Sequence, residues 1–236
     1  MGEAGRRRGG FYSRIRAVAD PQGIDVHAHF FPERFFRAIE QDGAASGGQV
    51  DRSNPRGPAI VIKGGSTAPL EPRYWDLAKR VASMNKQGVA VQALSLTAPM
   101  VYWGQGDFGA RLAREWNDGA SAAHTAHPDR FVFCITLPMQ DTAQALAELE
   151  RASKLPGARA VYMGTNVNGR NLSDPAFFPV FERCQALGLP IGLDRSIWPP
   201  EGAPPSSMAR KKRSGKKCAW TSMPWGPGPV TAAILL

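Results

Sequence analysis

The chain has 236 residues, 43% of them apolar, which is the size of a small α/β-barrel domain and the composition of an ordinary soluble protein. It contains no stretch of about 18 apolar residues to span a membrane, and its three cysteines, Cys134, Cys184 and Cys218, form neither a metal nor a disulfide spacing pattern, which suits a reducing, cytoplasmic setting. The formal charge of +9 lies at the two ends (five Arg and one Glu in residues 1–16, seven Lys or Arg and one Glu in 195–236, against 17 basic and 18 acidic residues in 17–194), so specific nucleic-acid binding is not expected.

Residues 1–22 read as a basic flexible leader. Arg6-Arg7-Arg8 is followed by two glycines and more arginine, without the apolar core of a signal peptide. The first patterned stretch is Ile24-Asp25-Val26-His27-Ala28-His29-Phe30-Phe31-Pro32, read as a short buried strand ending at a proline. Alternation along a strand puts His27 and His29 on one side and Val26 and Ala28 on the other. Two imidazoles so placed can bind one metal ion at about 2.0–2.1 Å; a hydrogen-bonded pair near a strand end is the alternative.

Pro32 stands where a helix can begin, Phe35, Phe36 and Ile39 recur at helical spacing, and Gly43 ends it. Residues 43–73 form a Gly-, Ser- and Pro-rich excursion around Ala59-Ile60-Val61-Ile62, expected to carry a small strand or hairpin over the mouth of the domain. Trp75 to Gln87 reads as a helix with Leu77, Val81 and Met84 on one face. Val89 to Leu96 is a near-continuous apolar strand of the kind covered on both faces. The following loop, Thr97 to Trp103, is aromatic and apolar and belongs at the C-terminal edge of the sheet, where α/β barrels build their sites. Tyr102 and Trp103 are therefore candidates to line a substrate site, with packing beneath the loop an equal alternative.

Residues 107–126 form a long helix with Ala113, Trp116, Ala120 and Ala123 on its buried stripe. His124 and His127 at its C-terminal end suit the helix dipole better than a metal ion. Phe131 to Leu137 is the third strand, and Asp141 with Gln144 makes a capping-box-like start for a helix over 142–154. Ala158 to Met163 is the fourth strand. In its polar loop, Gly164 to Gly169, Asn166 and Asn168 either orient substrate oxygens or simply make a turn. Asp174 caps the next helix with Pro175 at its first position, Phe177, Phe181, Cys184 and Leu187 form its buried face, Gly188 closes it, and Leu189 to Leu193 begin a fifth strand. Strands alternating with helices predict parallel βαβ units, five strands joined by four helical crossovers. Residues 195–236, rich in Pro, Lys and Arg, show no periodic apolar pattern and are expected to be unstructured.

Asp25-Val26-His27-Ala28-His29 resembles the first-strand His-x-His of the amidohydrolase superfamily. Residues 88–95, 129–140 and 164–169, with Asp174-Pro175 and Gly188-Leu189-Pro190, resemble the branch typified by 2-amino-3-carboxymuconate-6-semialdehyde decarboxylase, over about residues 23–193. The resemblance implies a partial (β/α)8 barrel of the metal-dependent hydrolase type in residues 23–194. It further implies a mononuclear divalent metal, Zn²⁺ first, held by His27, His29 and two later ligands. The implied activity is non-oxidative decarboxylation of a small unsaturated or aromatic carboxylic acid, with a hydrolase as the alternative and a homodimer as one arrangement. Arg73 is the position nearest to the arginine that such enzymes use for the substrate carboxylate.

The chain also departs from that family. Where the fifth strand should end in a ligand histidine, Leu193 is followed by Asp194 and Arg195. All four histidines precede residue 128, so the later acid/base histidine has no counterpart. These departures predict a sequence truncated or frame-shifted after residue 193 and an impaired site, with an inactive partial barrel as the competing reading.

Overall fold

β1 (Gly23–His29) opens a parallel sheet whose next members are β5 (Val89–Ser95), β6 (Phe131–Ile135), β7 (Ala158–Gly164) and β10 (Ile191–Asp194), in that spatial order. In this computed structural model residues 23–194 and 234–235 are described. The leader lies outside them, as does the tail apart from β11 (Ile234–Leu235). That short strand pairs parallel to β10 within a stretch expected to lack regular structure.

Four crossovers join these five strands: α1 (Glu33–Asp42) and α2 (Leu77–Gln87) both lie in the first, and α3 (Asp107–Ala126), α4 (Thr142–Ala152) and α5 (Phe178–Ala186) make the others. Strand alternation divides the sheet into two faces. Leu94, Phe131, Phe133, Ile135, Val161 and Met163 join the helix residues Phe35, Phe36, Ile39, Trp116, Leu149 and Val180 in one buried core. Ala93, Cys134 and Tyr162 form a smaller cluster on the other face. The long α3 lies where its stripe predicts: Ala113, Trp116, Ala120 and Ala123 are all buried, and the Trp116 indole donates to the Phe30 carbonyl at 2.8 Å.

The excursion after α1 holds β2 (Gln49–Asp51), β3 (Ala59–Ile62) and β4 (Gly65–Ser66), an antiparallel sheet whose Ile60 and Ile62 join the main core. Gly48 is required where it approaches the Trp103 ring, since an added Cβ would lie 2.3 Å from it. The second helix begins at Leu77, not Trp75, because the Asp76 carboxylate caps it by accepting the Lys79 amide at 3.1 Å. The expected capping box is half made. Asp141 accepts the Gln144 amide at 3.0 Å, but the Gln144 side chain donates to Asp107 instead of returning to the cap, and α4 stops at Ala152, short of 154.

The larger correction concerns β1. It is not a buried strand: Ile24 is 69% and Val26 43% exposed. As the end strand of the sheet it has a neighbour, among the described residues, on one side only. Among the described residues no helix is long and apolar enough to cross a membrane.

Candidate metal centre

The pairing of β1 with β5 slips between Asp25 and Ala28, where three steps along β1 match two along β5. Such a bulge bends a strand and re-aims its side chains. Beyond it His27 and His29 converge, their ring centroids 4.4 Å apart and edge-on at 68°. Both rings sit near the C-terminal end of the sheet.

Strand ends supply the surroundings. Ser95, the last residue of β5, places its Oγ 3.2 Å from His29 Nδ1. Asp194, the last residue of β10, places Oδ2 4.0 Å from His29 Nε2. The Thr97 hydroxyl donates to that same carboxylate oxygen at 2.6 Å. The Tyr162 hydroxyl of β7 lies 3.3 Å from His27 Nδ1. Burial lowers the His29 pKa to about 4, the adjacent His27 adds to the effect, and Asp194 opposes it. Neutral imidazole is the form that ligates metal. Burial, reinforced by the Asp194 charge, pushes Tyr162 well above the usual phenol range, so its hydroxyl remains protonated.

In kind, these donors suit a divalent cation: two imidazoles with a carboxylate opposite one of them. Two donors on one ion, each about 2.0–2.2 Å from it, are separated by at most about 4.4 Å. The Nε2 to Oδ2 distance of 4.0 Å falls within that limit. Among the described residues no set of three His, Cys, Asp or Glu side chains stands close enough to hold an ion, so the described part of the centre is an incomplete ligand set.

The other candidates are held in contacts of their own. Tyr102 is buried; its hydroxyl accepts the Gly164 amide at 3.1 Å and its carbonyl accepts the Asn168 side chain at 2.7 Å. Trp103 donates to the Met100 carbonyl and packs edge-on against Phe108. Both aromatics thus pack beneath their loop. Asn166 accepts the Gly169 amide at 2.7 Å, between β8 (Asn166–Val167) and β9 (Arg170–Asn171), and Asn168 adopts a φ of 49°. These asparagines make a turn. Arg73 is exposed, pairs with Glu71 at 3.1 Å and lies over the Tyr74 ring; the structure does not bring it to the histidine pair. His124 and His127 touch Phe131, which begins β6 at the opposite end of the sheet.

Sequence reasoning missed Ser95 and Tyr162 as neighbours of the histidines and Thr97 as a partner of Asp194, and it set Asp194 aside. The available signal was position: these residues end, or closely precede or follow the end of, parallel strands, where α/β folds gather their sites.

Residues 24–219 match the sequence profile of the family described as Amidohydrolase, so the match continues beyond the residue 193 at which the resemblance was expected to stop. The 2-amino-3-carboxymuconate-6-semialdehyde decarboxylase of Dictyostelium discoideum is 32% identical over 170 residues, 71% of this chain and 47% of that protein. The chain thus spans about half the length of the curated relatives it matches. Among solved structures, the apo IDCase of Metarhizium anisopliae superposes with a TM-score of 0.63 at 24% identity, covering 75% of this chain and 51% of that one. A dihydroxybenzoic acid decarboxylase of Polaromonas sp. JS666, with bound manganese and the inhibitor 2-nitroresorcinol, does so with a TM-score of 0.56 at 24% identity, covering 79% and 52%. With five parallel strands and their crossovers, the fold is a partial (β/α)8 barrel.

Proposed function

Because the chain belongs to the amidohydrolase family, we propose that it carries the His-x-His portion of a metal-dependent, non-oxidative carboxy-lyase acting on a small unsaturated or aromatic carboxylic acid. The observation that carries this reading is the convergence of His27 and His29, centroids 4.4 Å apart, with Asp194 facing His29 across the sheet. Decarboxylase relatives supply the reaction class.

His27 and His29 would hold a divalent ion, and Asp194, 4.0 Å from His29, would have to draw nearer to add a carboxylate donor. When bound, such an ion supplies Lewis-acid polarisation of an oxygen-bearing substrate. Ser95 fixes the orientation of the His29 ring through Nδ1 and leaves Nε2 turned toward the site. Thr97 orients the Asp194 carboxylate. The protonated Tyr162 hydroxyl is a neutral hydrogen-bond donor beside His27. Non-oxidative decarboxylation requires a proton at the carbon that loses CO₂, and no histidine follows residue 127 to deliver it.

Zn²⁺ is the ion expected from the resemblance. Mn²⁺ is the alternative, favoured by the manganese in the Polaromonas decarboxylase and by a carboxylate donor. Tyr102, Trp103, Asn166 and Asn168 shape the loops over the site, and a cytoplasmic setting and a homodimer belong to the same reading. A hydrolase is the second reading, favoured by the name of the family profile.

The test is the amount of metal that the 236-residue chain holds in equilibrium dialysis against a fixed concentration of Zn²⁺ or Mn²⁺. The chain should retain metal that His27→Ala and His29→Ala lose. Equal retention by all three proteins would overturn the assignment.

A further inference from the structure

Arg80 of α2 is only 5% exposed, an unusual place for a guanidinium. Its Nη1 donates to Gln92 Oε1 at 2.9 Å, and its Nη2 donates to the His29 carbonyl. Gln92 passes the contact on, its Nε2 donating to Asp25 Oδ2 at 2.9 Å. The other oxygen of Asp25 accepts the His27 amide at 3.1 Å. The chain of contacts therefore grips β1 at Asp25 and again at His29, one on each side of the slip in register. Both histidine side chains issue from the gripped segment.

Three features argue that this is more than packing. β1 is an end strand, so among the described residues β5 alone holds its bulge in place. Arg80 Nε is buried without a hydrogen-bond partner, a cost that an apolar side chain would avoid. The forked guanidinium bridges two acceptors on adjacent strands, which an ammonium group cannot match geometrically. We propose that Arg80, acting through Gln92 and the His29 carbonyl, is a positioning residue that fixes the bulge and so aims His27 and His29 at a common ion. The proposal rests on the reading of the two histidines as ligands.

The test uses the full 236-residue chain and its Arg80→Met and Gln92→Leu variants, with Leu149→Ala, a buried α4 substitution, as the stability control. Two measurements are made: imidazole NMR signals without metal, and Mn²⁺ affinity by electron paramagnetic resonance. Arg80→Met and Gln92→Leu should broaden or shift the His27 and His29 signals and weaken Mn²⁺ binding by about 10–100-fold. Leu149→Ala should do neither at a comparable loss of thermal midpoint, and Arg80→Lys should restore only part of the affinity. If Arg80→Met fails to fold, Gln92→Leu breaks the relay while leaving the guanidinium on His29. Unchanged imidazole signals in both relay variants would overturn the proposal. Failure of the unsubstituted chain to bind Mn²⁺ would instead overturn the metal reading, and the imidazole signals alone would then decide whether the clamp exists.

Discussion

His29 is pulled in two directions. Burial and the nearby His27 lower its pKa from 6.5 to about 4, while Asp194, 4.0 Å away, pulls it up. A lowered folded-state value means that the unfolded chain binds the proton more readily. Folding of the metal-free chain is therefore unpenalised by this group above about pH 6.5, loses stability as the pH falls from there to about 4, and loses no more below. A shift of that size corresponds to on the order of 3 kcal/mol. Urea unfolding at pH 7.5 and at pH 4 should differ less in His29→Asn than in the unsubstituted chain, by about 1–3 kcal/mol. The neighbours can be tested separately by NMR titration of His29: His27→Ala should raise its midpoint, and Asp194→Asn should lower it. Midpoints that stay put would show that the ring does not feel these groups. At this scale the sequence disclosed His27 and His29, because a strand's two-residue period is local. Asp194, Ser95, Gln92 and Arg80 were not legible, because their roles depend on which strands and helices become neighbours.

Between elements, a fully buried polar tie joins α3 to α4 and to Thr136, the residue that follows β6. Asn117 is fully buried; its Oδ1 accepts the Thr136 amide at 2.8 Å, and its Nδ2 donates to the Thr136 carbonyl and to Glu148 of α4. Replacing it with alanine strands the buried Thr136 amide and carbonyl, while Glu148 keeps Arg151. Asn117→Ala should cost about 2–4 kcal/mol in chemical denaturation, since each orphaned group costs about 1–3 kcal/mol; a loss under 0.5 kcal/mol, the scale of a surface change, would show that the tie is not made. The five strands and their crossovers were legible from apolar runs and helical stripes, with α3 found end to end. The exposure of β1 was not, because a strand's own composition does not say whether a second neighbour covers it. Exposed Ile24 and Val26 on an end strand invite pairing with another chain. Ile24→Lys and Val26→Lys should reduce concentration-dependent association in sedimentation velocity without lowering the thermal midpoint. Association unaffected by either change would locate the contact elsewhere.

For the molecule as a whole, the question is whether two imidazoles and one carboxylate on five strands make a working enzyme. A catalytic zinc site generally uses three protein ligands and leaves one position open. The described residues offer His27, His29 and, 4.0 Å from His29, Asp194, without a closed set of three. An acid/base histidine typically contributes about 10²–10⁴-fold, and none follows residue 127. The two deficits compound, because loss of the proton donor slows the step that a weakly held ion already fails to assist. An eight-strand closure also excludes water from the sheet's inner face, and among the described residues the sheet has fewer than eight strands and an exposed end strand, β1. The purified 236-residue chain should therefore bind Zn²⁺ or Mn²⁺ weakly. It should show little or no turnover of carboxymuconate-type semialdehydes or hydroxybenzoates under conditions where full-length relatives are active. Turnover near that of those relatives, abolished by His27→Ala, would refute this. If Asp194→Ala abolished it too, the carboxylate at the end of β10 would have taken over the duty of the absent histidine. If Asp194→Ala left turnover intact while dilution removed it, a second copy of the chain would be completing the site.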